Sequence, residues 1–203
     1  MTQRGRAGTP EPYPPIGHQR KHRGFPVLSH FRVFCRELEW ETVAQVHLMH
    51  VVDILSPSRV AVAPDKLRNK GDALRKLAEM LASGDVKVGA DVVLDMLAKR
   101  EDTQSTGVGG GVAIPHAAME DLQQIIGAVL LCPNPIEWAA IDGTPVSILF
   151  AVIGPRRAVG EHLKTLARVS RLLRDDAFRH RLANAADGAS AFDLIAAEEA
   201  RPQ

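Results

Sequence analysis

Apolar positions in this chain fall into two kinds of run, and each kind predicts a different element. Val51-Val52-Asp53-Ile54-Leu55 and then Val60-Ala61-Val62-Ala63 read as a short helical turn followed by a strand. Leu74, Leu77, Ala78 and Leu81 recur at helical spacing, with Asp72 as the expected cap and Gly84 as the expected stop. Val92, Val93, Met96 and Leu97 predict a second helix with Arg100 in its last turn, followed by a polar loop from Glu101 to Thr106. The segment from Gly107 to His116 is expected to end as a strand at the histidine. Ile125 to Cys132 and Val146 to Ile153 are continuous apolar runs of strand length, separated by turns at Pro133-Asn134-Pro135 and Asp142-Gly143. A long helix follows, with Leu163, Leu166, Ala167, Val169, Ser170 and Leu173 facing inward, and two shorter helices cover Asp176–Ala185 and Ala189–Ala200. Strands without polar alternation belong to a sheet covered on both faces. With helices between them, they predict an α/β fold in which a mixed β-sheet is sandwiched between helices in three layers.

The first 48 residues are different. Residues 1–30 contain five prolines, four glycines and the basic cluster His18-Gln19-Arg20-Lys21-His22-Arg23. Such a stretch buries too little apolar surface to offset its ordering entropy, so a disordered extension is expected. Phe31, Phe34, Cys35 and Leu38 keep a helix period, enough for one or two amphipathic turns. The expected division is therefore a basic extension over 1–48 and one domain over 49–203, with Met49 as an alternative start. Seven basic and four acidic residues in the extension contrast with a formal net charge of +1 for all 203 residues. That balance gives no reason to expect nucleic-acid binding. No apolar run reaches membrane-spanning length, and no apolar stretch follows the basic start as in a secretory signal. Two distant cysteines, Cys35 and Cys132, fit reduced thiols in a cytosol, with Cys132 as a small buried apolar residue.

The chemistry concentrates around Gly107-Val108-Gly109-Gly110-Gly111-Val112-Ala113-Ile114-Pro115-His116. A histidine held this way is either a packed core residue or a working imidazole. The glycines argue against a plain core strand, which glycine weakens. They match neither a Walker loop nor a dinucleotide fingerprint. His162, near the start of the long helix, is expected close to free backbone N–H groups that attract anions. Arg100 and the hydroxyls of Ser105 and Thr106 add a cation and donors. Together these groups suit a phosphoryl group, which histidine can also carry covalently. No HxH, HExxH or CxxC spacing supports a metal site.

The stretch from Arg100 through Ser105-Thr106-Gly107-Val108-Gly109-Gly110-Gly111-Val112-Ala113-Ile114-Pro115-His116 resembles the signature of the mannitol/fructose-type enzyme IIA domain of the bacterial phosphotransferase system, a class that includes nitrogen-related regulatory IIA proteins. Asp53-Ile54-Leu55-Ser56-Pro57, Lys70-Gly71-Asp72-Ala73-Leu74 and the segment Glu161-His162-Leu163 through Ser170 extend the resemblance over about residues 50–200. Gly110 falls at a variable position, and Ala118 stands where a basic residue is frequent. The resemblance implies that His116 accepts a phosphoryl group from a histidine-containing phosphocarrier protein. It implies that His162 positions the ring and the phosphoryl group and that Arg100 neutralises charge. Ser105 and Thr106 would then support the site, and Gly107, Gly109 and Gly111 would give clearance around it. It implies no cofactor, no metal and a cytoplasmic protein. The output would be a regulatory target or, in the sugar-specific alternative, a separate IIB domain; a non-catalytic interaction module is a third possibility.

Overall fold

The computed structural model describes residues 50–63, 67–84 and 86–201. The expected basic extension, its amphipathic turns and the alternative start at Met49 lie outside the described residues.

Two short 3-10 turns, Val51–Ile54 and Pro57–Arg59, lead into β1 (Val60–Val62). Helices α1 (Lys70–Leu81) and α2 (Ala90–Thr103) follow. Three short strands come next: β2 (Gly107–Gly109), β3 (Val112–Ala113) and β4 (His116–Met119). The long strands are β5 (Ile126–Ile136) and β6 (Val146–Pro155), and the chain closes with α3 (Val159–Leu172), α4 (Asp176–Ala183) and α5 (Gly188–Glu199). The sheet order is β1-β5-β6-β3-β2, with β4 also paired to β6. β5 and β6 are antiparallel, whereas β1 runs parallel to β5, and β3 and β4 both run parallel to β6.

The two long strands are apolar over residues 126–132 and 148–153 because both faces of these stretches are covered. Ala128, Leu130 and Cys132 of β5 and Leu149, Ala151 and Ile153 of β6 pack in one core with α1 and α2. Val129 and Leu131 of β5 and Ile148, Phe150 and Val152 of β6 pack in the other, against Val169 of α3, Phe178 and Leu182 of α4 and Ile195 of α5. The three-layer α/β/α arrangement expected from the sequence is the one observed. Burial pushes the Cys132 thiol up to about 11, so it behaves as a small apolar core residue.

Local expectations needed correction where polar side chains find partners inside the molecule. The cap of α1 is Asn69, whose Oδ1 accepts the Asp72 N–H, rather than Asp72 itself. α2 continues through Thr103 where a polar loop was expected, because Glu101 is buried and paired rather than solvated. Pro133-Asn134-Pro135 is not a turn. β5 runs on to Ile136, and the ladder to β6 is irregular between Leu131 and Ile136, where missing N–H donors cost nothing. On α2, Val92 points outward and Val93 and Leu97 inward. On α3 the inward residues are His162, Thr165, Val169 and Leu173, while Leu163 is 60% exposed and Ala167 and Ser170 are exposed. Thr165 tolerates burial because its hydroxyl donates to Glu161 O at 2.9 Å, within the helix.

Candidate functional site

The segment from Gly107 to His116 is three pieces rather than one strand. β2 and β3 form an antiparallel hairpin whose tip is Gly109, Gly110 and Gly111, at φ of 92°, 60° and 74°. Three successive left-handed residues are a conformation that glycine adopts at no steric cost. Asp142 fixes the tip by accepting the Gly110 N–H at 2.8 Å. Ile114 and Pro115 then carry the chain to β4, and His116 opens that strand instead of ending one. β3 lies opposite Ile148 and Leu149 of β6, whereas His116 lies opposite Val152. Four strand residues separate Ile148 from Val152, about 13 Å. The glycine tip is thus at the far end of β3 from the histidine. Gly109 and Gly111 shape the hairpin and do not clear space around His116. Gly107 lies against Ala140 in the same hairpin region, where a Cβ would come within 2.7 Å of backbone.

His116 is half-buried, and both its ring nitrogens are engaged. Nδ1 lies 2.8 Å from Ile114 O, and Nε2 lies 3.1 Å from Arg100 Nε. A carbonyl only accepts and a guanidinium only donates, so this network assigns the proton to Nδ1 and the lone pair to Nε2. Arg100, in the last turn of α2, is itself held by an Nη1 bond to Gln104 O at 2.8 Å. Burial, and secondarily the Arg100 charge, holds the His116 imidazole below its ordinary range, against the opposing pull of the Ile114 carbonyl. The ring is neutral at neutral pH.

His162 faces this ring from α3, with centroids 6.1 Å apart and planes inclined by 51°. It is the fourth residue of α3 and only 7% exposed, so it is a buried imidazole rather than a residue of the free helix end. Burial and the neighbouring His116 push it, too, toward the neutral form. Its Nδ1 is buried without a hydrogen-bond partner. The ring fits because residue 154 is glycine: a Cβ there would sit 2.6 Å from His162 Nδ1. Sequence reasoning passed over Gly154, which is embedded in an apolar strand; the only signal was a glycine where a β-branched residue would pack better.

Ser105 and Thr106 are turned to other work. Ser105 Oγ donates to Trp138 O and accepts the Gly107 N–H, both at 3.2 Å. Thr106 is 5% exposed, and its N–H and hydroxyl both go to Glu101 Oε2, the former at 3.0 Å. Glu101, also missed from the sequence, receives Lys70 Nζ at 2.8 Å on its other oxygen. Burial opposes its charge, but the bonds from Lys70 and Thr106 prevail and hold its carboxyl below the usual range. Lys70 also lies 5.1 Å over the Trp138 ring. This buried ion pair ties the start of α1, the end of α2 and the start of β2 together, one residue from Arg100. Among the described residues no three His, Cys, Asp or Glu side chains converge as a metal site, and no helix is long and apolar enough to cross a membrane.

The site therefore consists of a neutral imidazole with its lone pair on Nε2, a guanidinium N–H donating to that lone pair and a second neutral imidazole beside it. A family model described as the phosphoenolpyruvate-dependent sugar phosphotransferase system, EIIA 2, matches residues 53–198. The chain belongs to this EIIA family. A nitrogen regulatory protein of Bradyrhizobium diazoefficiens is 34% identical over 148 residues, 73% of this chain and 95% of that protein. The crystal structure of the nitrogen regulatory protein IIA-Ntr from Neisseria meningitidis matches with a TM-score of 0.66 and 27% identity, over 71% of this chain and 98% of that one. The fold is shared as well with the mannitol IIA of Escherichia coli in its complex with phosphorylated mannitol IIB, at a TM-score of 0.55 and 17% identity, over 67% and 94% of the two chains. This EIIA protein is thus a phosphotransferase-system phosphocarrier, more similar to nitrogen regulatory proteins, at 31–34% identity, than to the fructose-specific EIIA component of Haloferax volcanii, at 28%.

Proposed function

We propose that His116 Nε2 accepts the phosphoryl group, that a phospho-histidine on a small carrier protein donates it, and that the output is regulation of other proteins. The observation that carries this reading is the pair of bonds on His116: Nδ1–H to Ile114 O, and Nε2 facing Arg100 Nε. The first fixes the tautomer, and the second marks where negative charge is to be balanced.

In this reaction the Nε2 lone pair forms the new N–P bond in line with the donor N–P bond that breaks. The donor imidazole keeps the electron pair of the broken bond and leaves neutral, protonated on its other nitrogen. The His116 Nδ1 proton stays with Ile114 O throughout. As Nε2 loses its lone pair to phosphorus, the Arg100 Nε–H turns to a phosphoryl oxygen, a charge-assisted bond. An unpaired buried donor is costlier than an unpaired buried acceptor, so His162 is best served by leaving Nδ1 bare. Its Nε2–H is then free for the phosphoryl group. Ser105, Thr106 and Glu101 act at one remove, by holding the end of α2 from which Arg100 projects. The regulatory output is favoured because nitrogen regulatory proteins match this chain at 31–34% identity, above the 28% of a fructose-specific EIIA component that aligns over a similar length.

The test is incubation with phosphoenolpyruvate and the purified upstream carrier proteins, followed by mapping of the phosphate. One acid-labile phosphate on His116 is expected, and none on His116→Ala. Labelling of His116→Ala, or a label that maps to His162, overturns the assignment. Rapid transfer onward to a IIB protein would overturn the regulatory output alone.

A further inference from the structure

A second polar site lies beyond the far end of the histidine strand. A cleft of about 600 Å³ opens between the Pro57–Arg59 turn, the end of α1 and the loop joining β4 to β5. Arg59 and Lys87 line it with the hydroxyls of Ser56 and Ser58 and the amide of Gln123; Asp121 is the one acidic group among the described lining residues. Arg59 is the unusual member. Its Nη2 donates to Ser83 O at 2.8 Å, which pins the guanidinium, but its Nε is buried with no partner. Only two side-chain nitrogens among the described residues are in that state, and the other is His162 Nδ1 at the phosphoryl site. A buried N–H left without an acceptor costs about 1–3 kcal/mol, so such groups persist where something else satisfies them.

The chemistry of the cleft decides what that is. Among the described lining residues, two cations face one carboxylate. Ser56 Oγ and Ser58 Oγ are hydrogen-bonded to each other at 2.8 Å, which leaves one of the two hydroxyl hydrogens to donate to an oxyanion. Arg59 is pinned through Nη2, and its Nη1 hydrogens, neither buried nor bonded among the described residues, are suited to a carboxylate or phosphate oxygen. We propose that this cleft binds a small organic anion, with its oxyanion head on Arg59, Lys87 and one serine hydroxyl and its polar tail toward Gln123. The wall of the cleft also touches both histidine-bearing elements. Its loop leaves β4, which begins at His116, and Gln123 Oε1 accepts Arg157 Nη2 at 2.8 Å in the turn that leads into α3 and His162.

Binding is tested by titrating the full-length, unphosphorylated protein with succinate, 3-phosphoglycerate and inorganic phosphate, followed by amide chemical shifts. Saturable shifts at residues 56–59, 83–87 and 121–124 are expected, with a Kd of about 1 mM or tighter for at least one probe. Arg59→Gln and the milder Lys87→Met should each weaken that binding tenfold or more. Arg100→Gln, at the other site, should leave it unchanged. Succinate alone binding identifies a carboxylate head, and inorganic phosphate alone a phosphate head. Saturation by none of the probes, or equal binding by Arg59→Gln and Lys87→Met at native circular dichroism, overturns the proposal. So does binding lost in Arg100→Gln, which places the anion at the phosphoryl site.

Discussion

The glycine tip and the histidine corner stand at least about 13 Å apart along the same central strand, and they use glycine in opposite ways. At the tip, Gly109, Gly110 and Gly111 are needed for what their backbone can do, a run of left-handed residues closing a hairpin. At the corner, Gly154 is needed for what it lacks, since any Cβ would enter the space of the His162 ring. The tip is conspicuous in the sequence and chemically quiet. The corner depends on one glycine inside the run Val146–Pro155, where nothing in the pattern draws the eye. A conspicuous glycine cluster thus marks a turn, while the glycine that serves the site is found only by asking what its neighbour requires.

Mutations separate the two regions. Glu101 serves both, since it holds Thr106 at the start of the hairpin and closes the helix that carries Arg100. Glu101→Ala leaves Thr106 without its partner and returns the partly exposed Lys70 to solvent, and should cost about 2–3 kcal/mol in urea unfolding, with phosphoryl acceptance impaired as well. If stability falls and acceptance does not, the tie between hairpin and corner is not functional. Gly154→Ala acts on the corner alone. It should slow phosphoryl acceptance about tenfold, a loss of roughly 1.4 kcal/mol in the transition state, beside an over-packing cost of about 1–3 kcal/mol in stability. An unchanged rate would mean that the position of His162 is immaterial. Gly109→Ala acts on the tip alone. Forcing alanine to a φ of 92° should cost about 1–2 kcal/mol of stability and leave the rate untouched.

Acidity gives the gentlest probe. Both imidazoles are held below their ordinary range in the folded protein, so the unfolded chain binds more protons than the folded one once the pH drops into that range. Their contribution to stability is complete above the unfolded imidazole value, about 6.5, and is lost as the pH falls through the folded values. The acceptance rate should therefore stay level from pH 8 to 7 and fall only below the usual imidazole range. The stability change should shrink in His162→Ala, as followed by urea unfolding at pH 7 and pH 5.

The three layers could be read from the chain because β5 and β6 are apolar at every central position, and only a sheet covered twice explains that. The identities of His116, His162 and Arg100 could be read as well, and the fold brings the three together. What stayed hidden was every feature that depends on a partner distant in sequence. Glu101 looked solvated because Lys70, 31 residues earlier, is out of sight of any local window. Thr106 looked available because its acceptor is that same buried carboxylate. On α3, Leu166, Val169 and Leu173 face the core as the periodicity implies, but Leu163, Ala167 and Ser170 are exposed and polar His162 and Thr165 take inward positions. The prolines of β5 looked like a turn because their harmlessness depends on an irregular stretch of the neighbouring ladder.

The bond between Arg100 and His116 has a consequence for what other proteins can sense. In the resting molecule this corner carries one positive charge beside two neutral rings. A phosphoryl group on His116, with the Nδ1 proton retained, places a dianionic phosphoryl on an imidazolium ring and so adds one net negative charge, while the backbone is free to stay where it is. A partner facing the corner would then meet a net cation before transfer and a charge-balanced corner fronted by phosphoryl oxygens after it. The protein can report its state by the loss of a local charge and the gain of acceptor oxygens, with no part of the fold having to move.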